Sequence, residues 1–165
     1  MDEIAKPDAL LEKLAADLEQ LLDQRNINDP LMVGIHTGGA WIATILHAKL
    51  GISRQLATLD ISFYRDDFSR IGMNPKVKPS SLPPQVEDKH IILVDDVLQT
   101  GRTIRAAMNE IFDYGRPASI SLVCLVDRSG RELPIQADIV GQHLQLGAEQ
   151  HIKLSGPEPL DFVVT

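Results

Sequence analysis

Residues 90–105 read H-I-I-L-V-D-D-V-L-Q-T-G-R-T-I-R, and this stretch limits the fold more than any other. Four consecutive apolar residues, Ile91 to Val94, run straight into a carboxylate pair, Asp95 and Asp96. An uninterrupted apolar run predicts a strand buried on both faces, as in a parallel sheet. A short polar segment with one glycine follows, and Ile104-Arg105-Ala106-Ala107-Met108 then takes up a helical pattern. In α/β folds, polar residues gathered at the carboxyl end of such a strand, ahead of a helix, are where ligands bind. Thr100-Gly101-Arg102-Thr103 offers backbone N–H groups, two hydroxyls and a helix N-terminus, a combination suited to a phosphate. The two carboxylates cannot serve that same phosphate and suit a neighbouring polyol or a metal-bound group. The implied ligand is a sugar phosphate.

The rest of the chain fits around that strand. Leucines at helical spacing, including Leu10, Leu14, Leu18 and Leu21, predict an amphipathic helix over Asp8–Arg25. Leu31–Ile35 predicts a short buried strand. The loop His36-Thr37-Gly38-Gly39-Ala40 comes next, and then a helix from Trp41 to Leu50. Further strands are expected over 57–63, 91–95 and 119–126, with a helix over 103–114 stopped by Gly115 and Pro117. Ala137–Gly141 and a tail of short β-like pieces close the chain. Strands alternating with helices predict a parallel α/β sheet in a single domain, 1–165. Between the strands expected at 57–63 and 91–95 lies an excursion, residues 64–89, holding four of the ten prolines and many charges. A long excursion of that kind within a compact domain is usually functional or disordered, and part of this one is expected to form a hairpin.

Composition narrows the class of function. The net charge is −7, and residues 1–30 carry eight acidic against three basic side chains. This weighs against a broad electrostatic footprint for nucleic acid. The chain holds no apolar run of membrane-spanning length. Its acidic N-terminus is unlike a signal peptide, so a cytoplasmic protein is expected. Cys124, the one cysteine, lies in the apolar run Ser121–Val126 and reads as a buried structural thiol.

The segment V-D-D-V-L-Q-T-G-R-T, residues 94–103, resembles the phosphoribosyl diphosphate (PRPP) signature of type I phosphoribosyltransferases. A buried strand ending in aspartates also occurs in nucleotide hydrolases that hold Mg²⁺, but those need an upstream G-x-x-x-x-G-K-[ST] loop, which this sequence lacks. The resemblance implies the type I phosphoribosyltransferase fold, a parallel sheet flanked by helices, with residues 64–89 as a small flexible hood. It implies that Asp95 and Asp96 hold the ribose hydroxyls. Val97, Leu98, Gln99, Thr100, Gly101, Arg102 and Thr103 would wrap the 5-phosphate. Thr37, Gly38 and Gly39 would meet the pyrophosphate, where small residues expose backbone N–H groups. Arg65, at the start of the hood, would approach the diphosphate.

Over nearly the whole chain the sequence resembles the PyrR group more closely. These are regulators of pyrimidine biosynthesis that double as uracil phosphoribosyltransferases. The resemblance rests on Tyr64-Arg65-Asp66-Asp67, the PRPP signature, Gly115-Arg116-Pro117, and Leu125-Val126-Asp127-Arg128 through Arg131-Glu132-Leu133-Pro134-Ile135. It implies the reaction of uracil with PRPP to give UMP and pyrophosphate. Mg²⁺ would enter on PRPP and water rather than on a dedicated protein site. Asp127, Arg128, Ile139 and Val140 would lie around the base. Relatives form dimers and larger assemblies, so a homo-oligomer is implied as well.

The sequence departs from the PyrR pattern in two places. The pyrophosphate loop commonly reads Thr-Arg-Gly in that group, whereas here it is Thr37-Gly38-Gly39. The RNA-binding surface of the group is basic, but here the first helix is acidic and Gln136 and Gln142 stand where cations are often found. RNA affinity rests heavily on phosphate neutralisation. The alternative reading, a UMP- or PRPP-sensing regulator of pyr mRNA with weak catalysis, is left with Arg116, Arg128 and Arg131 as a small basic patch.

Overall fold

The computed structural model describes residues 3–61, 82 and 86–165. Arg65 and most of the expected hood lie outside the described residues. Seven strands are described: β1 (Leu31–Ile35), β2 (Ala57–Leu59), β3 (His90–Leu98), β4 (Ser119–Arg128), β5 (Ile139–Leu144), β6 (Ile152–Ser155) and β7 (Asp161–Val164). The described helices are α1 (Pro7–Gln24), α2 (Gly38–Leu50) and α3 (Arg102–Asp113). Five strands form a parallel sheet in the order β2-β1-β3-β4-β5, and β6 and β7 pair antiparallel as a separate hairpin.

The continuous apolar run of β3 is explained by its place at the centre of this sheet. Ile92 and Val94 pack with α1 and α2 on one face, while Ile91 and Leu93 pack with α3 on the other. Alternate side chains of a strand point to opposite faces, so a strand covered on both sides must be apolar at every position. Leu14 and Leu18 of α1 are fully buried beneath that first face. Truncating either to alanine costs about 2–5 kcal/mol in a core of this kind.

Observed and expected boundaries differ where tertiary pairing overrides local pattern. β3 runs through the acid pair to Leu98, because β4 continues alongside it and pairs Val97 with Val126 and Leu98 with Asp127. α2 begins at Gly38 rather than Trp41, taking both glycines into its first turn. β2 ends at Leu59, with Ile61 buried beyond it in irregular chain. The β6–β7 hairpin folds back over the sheet through Leu154, which is 2% exposed, and through Leu160 and Phe162 packed on the α1–α2 side.

Candidate active site

β1 connects through α2 to β2 on one side, while its other neighbour is β3. The strand order therefore reverses between β1 and β3, the place where open α/β sheets leave a crevice beyond their carboxyl ends. The loop after β1 and the acid pair of β3 meet there. They line a hollow of about 520 Å³ that also includes His36, Trp41, Thr103 and Lys153. A second hollow of about 260 Å³ adjoins it, sharing Asp95, Asp96, Val97, Thr103 and Lys153 and adding Gln99, Thr100 and Gly101.

The two carboxylates differ in setting. Asp95 is 5% exposed, and its Oδ1 accepts from the Asp96 N–H at 2.9 Å. Asp96 is half-buried, and its Oδ1 accepts from the Val97 N–H at 2.8 Å. The backbone of β3 thus holds both carboxylates at the strand's edge. The glycines opposite are required by contact. A β-carbon on Gly39 would stand 2.6 Å from the Val94 carbonyl oxygen and 2.9 Å from Asp95 Cα. One on Gly38 would overlap the Asp96 carboxylate, 2.7 Å from its Cγ. Gly38 thus leaves its space to Asp96. Behind the pair, Cys124 lies beside Asp95 in the β3–β4 ladder and is fully buried. Burial pushes its thiol well above the ordinary range, and the charges of Asp127 and Asp95 add to this. It is a core side chain.

The loop expected to wrap a phosphate is held by a second segment. Gly101, at φ +93°, allows the chain to turn into α3. Thr100 Oγ1 accepts from the Arg102 N–H at 3.1 Å, and the Thr100 carbonyl accepts from both Glu132 and Leu133 N–H groups. Arg131 donates to the Gln99 carbonyl at 2.6 Å and to Asp127 Oδ1 at 2.7 Å. The Arg-Glu-Leu-Pro-Ile segment therefore clamps residues 99–101 from outside, and Ile135 packs within 3.0 Å of where a Gly101 β-carbon would be. Arg102 donates to Glu132 at 3.0 Å, and its side chain is not among the groups lining either hollow.

The residues expected around the base fall elsewhere. Ile139 pairs with Val123, which pairs with Val94, so Ile139 sits level with the middle of β3 and below its carboxyl end. Ile139, Val140 and Asp127 line a separate hollow of about 520 Å³ against Lys13 and Leu21 of α1. Arg128 is 3% exposed and donates to the carbonyls of Gln150, Gly147 and Ser129, binding the loop before β6 to the sheet. The structure thus gathers Thr37 to Gly39 with residues 95–103, but it does not bring Arg128, Ile139 or Val140 to them. In their place stand Ile152 and Lys153 of the C-terminal hairpin, together with His36 and Trp41, none of which the sequence singled out. The alternation Ile152-Lys153-Leu154 was readable as a strand, but nothing local says that it docks over β3.

A metal held by protein side chains alone needs more donors than this. Among the described residues there is no group of three or more His, Cys, Asp or Glu side chains placed to hold an ion. No described helix is long and apolar enough to cross a membrane.

Comparison with known proteins agrees with this geometry. The family described as the phosphoribosyl transferase domain matches residues 1–157. The chain is 58% identical to the Bifunctional protein PyrR of Nitrosococcus oceani over 159 residues, which is 95% of this chain and 90% of that protein. It is 56% identical to the Bifunctional protein PyrR of Pseudomonas paraeruginosa over 157 residues, or 95% and 92% of the two chains. Among solved structures, a hypoxanthine phosphoribosyltransferase from Staphylococcus aureus superposes with a TM-score of 0.66 at 21% identity. The match covers 88% of this chain and 78% of that one. A purine phosphoribosyltransferase from Pyrococcus horikoshii superposes at 0.61 and 23% identity, covering 82% and 83%. At such identities these structures establish the fold.

Proposed function

The chain belongs to the PyrR family of phosphoribosyl transferase domain proteins, and from that membership we propose how its crevice works. The protein is a uracil phosphoribosyltransferase of the PyrR type, linked to regulation of pyrimidine nucleotide biosynthesis. Uracil and PRPP give UMP and pyrophosphate. One observation carries the assignment of roles: Thr37 and Gly38, together with residues 95–101 and Thr103, line adjoining hollows at the switch point between β1 and β3.

Breaking the bond at ribose C1 builds positive charge on the sugar and negative charge on the departing pyrophosphate. The base is the nucleophile, so the protein need only position the reactants and complement these charges. In this reading Asp95 and Asp96 hold the ribose hydroxyls and lie near the developing positive charge. Residues 100–103 anchor the 5-phosphate, supported by the clamp from Arg131 and Glu132. The backbone of Thr37–Gly39 faces the pyrophosphate. Arg65, from outside the described residues, completes the charge on that side, and the hood excludes water. The base stands on the hairpin side of the crevice, near Ile152. Asp95 and Asp96 are too few for an all-protein Mg²⁺ cage. Mg²⁺ would be carried by diphosphate oxygens and water, where it neutralises charge on the leaving group.

The regulatory half of the PyrR name points to RNA, and of the arginines expected to serve it Arg116 is exposed while Arg128 and Arg131 are engaged within the fold. Arg128 is buried on backbone carbonyls and Arg131 is bound to Asp127 and Gln99. Arg25 pairs with Asp138 at 3.1 Å. Only weak binding to a pyr-leader hairpin follows at physiological salt. A homo-oligomer in the cytoplasm remains part of the proposal, read from the family. The deciding experiment is an assay of uracil with PRPP and Mg²⁺, run beside a hairpin titration over a range of salt. Absence of UMP formation by a sample that binds PRPP would refute the enzymatic role. Tight, salt-sensitive hairpin binding would refute the weak RNA surface.

A further inference from the structure

PRPP brings a phosphate and a diphosphate into a crevice whose fixed acidic groups are Asp95 and Asp96. Bringing these groups together is unfavourable unless cations stand nearby. Three arginines of the neighbouring segments are committed elsewhere. Arg102 pairs with Glu132, Arg131 with Asp127 and the Gln99 carbonyl, and Arg128 with three backbone carbonyls. Gly38, in the loop facing the acid pair, carries no charge. Among the described residues, the Lys or Arg side chain lining these two hollows is Lys153, and it lines both.

Its position is fixed by what surrounds it. Leu154, the next residue, is 2% exposed and buried with α1 and α2. Lys153 pairs with Val163 across the hairpin, and Leu160 of the same hairpin packs where a Gly156 β-carbon would lie, close to Trp41 of α2. The hairpin is thus seated on the core, while exposed Lys153 lines both adjoining hollows.

We propose that Lys153 is a PRPP-binding cation that offsets the acid pair and takes over charge that Gly38 cannot supply. The C-terminal hairpin thereby becomes part of the substrate site. This inference rests on the PRPP reading of the crevice. Losing one charge-assisted contact of this sort weakens binding by about tenfold.

The test is calorimetric titration of PRPP with Mg²⁺ into the intact protein and its Lys153→Gln and Lys153→Arg variants, beside steady-state kinetics. Lys153→Gln should weaken PRPP about tenfold and lower the salt dependence of its binding, and Lys153→Arg should restore most of the loss. KM for uracil should stay within about twofold, since the base carries no charge for Lys153 to meet. Unchanged PRPP binding in Lys153→Gln overturns the inference, as does equal impairment in both variants, which would mark a structural role. A wild-type protein that binds PRPP but forms no UMP refutes the enzymatic reading alone, because the titration still decides the role of Lys153.

Discussion

Gly39 of α2 lies against Val94 of β3 so closely that a β-carbon on it would stand 2.6 Å from the Val94 carbonyl oxygen. That oxygen belongs to the central strand of the sheet and cannot yield. Gly38 faces the Asp96 side chain, which can turn away. One glycine seats the helix on the strand, and the other makes room for a carboxylate.

Gly39→Ala should therefore destabilise the fold by about 1–3 kcal/mol, the usual range for forcing a methyl into packed structure. Gly38→Ala should fold normally but lose about tenfold in turnover, because Asp96 must rotate out of its place. Denaturant melts and steady-state rates on the two variants separate these effects. Equal stability loss in both would contradict the division.

Asp96→Asn keeps the shape of the side chain and an oxygen able to accept from the Val97 N–H. Stability should change by less than about 1 kcal/mol. Turnover should fall on the order of 100-fold, as charge beside the developing ribose cation is lost. Wild-type turnover in this variant would remove Asp96 from the mechanism.

Arg131→Met preserves much of the side chain's bulk and deletes its bonds to Gln99 and Asp127. Asp127 then keeps the His143 ring, at 3.5 Å, as a neighbour among the described residues. Stability should drop by about 1.5–3 kcal/mol, the range for a hydrogen bond to a charged group. KM for PRPP should rise more than KM for uracil, since the loop carrying Thr100 and Gly101 is loosened. A uniform fall in kcat with both KM values unchanged would argue against the clamp.

Cys124 should be silent to thiol reagents in the native protein at pH 8 and should react once the chain is denatured. Its folded value lies above the ordinary 9.0. The unfolded thiol therefore ionises first, and the associated stability is complete below pH 9 and declines as pH rises beyond it. The stability advantage of wild type over Cys124→Ala should shrink by about 1.4 kcal/mol per pH unit above that point. A constant difference between pH 8 and 10 would show that the thiol is less enclosed than the structure has it.

Much of the fold was legible because its signals are local. The run Ile91–Val94 announced a strand buried on two faces, and the leucine spacing of α1 announced a helix with one buried face. Helix limits came within one residue for α1 and α3, where proline and glycine mark the ends. They slipped at α2, because glycines that look like a turn are helical once β3 packs against them.

The polar end of β3 and the loop after it were equally local, being written in residues 95–103. The groups that face them across the crevice were not. Ile139 and Val140 have the composition of a pocket wall, yet strand register sets them two strands from β3 and below its carboxyl end. Arg128 resembles a ligand-binding cation in sequence, and in the fold it ties a loop to the sheet.

The sequence by itself determined the central strand, its acid pair, the glycine turn into the helix behind it and the family, because each is carried by neighbouring residues whose chemistry needs no partner to be read. Only the tertiary structure decided which groups meet across the chain. It set Gly38 against Asp96, fixed the Arg131 clamp on the loop, and placed Lys153 beside an acid pair 57 positions earlier in the chain. Such contacts depend on strand order, register and the return path of the C-terminal hairpin, and these are settled by packing the whole core at once.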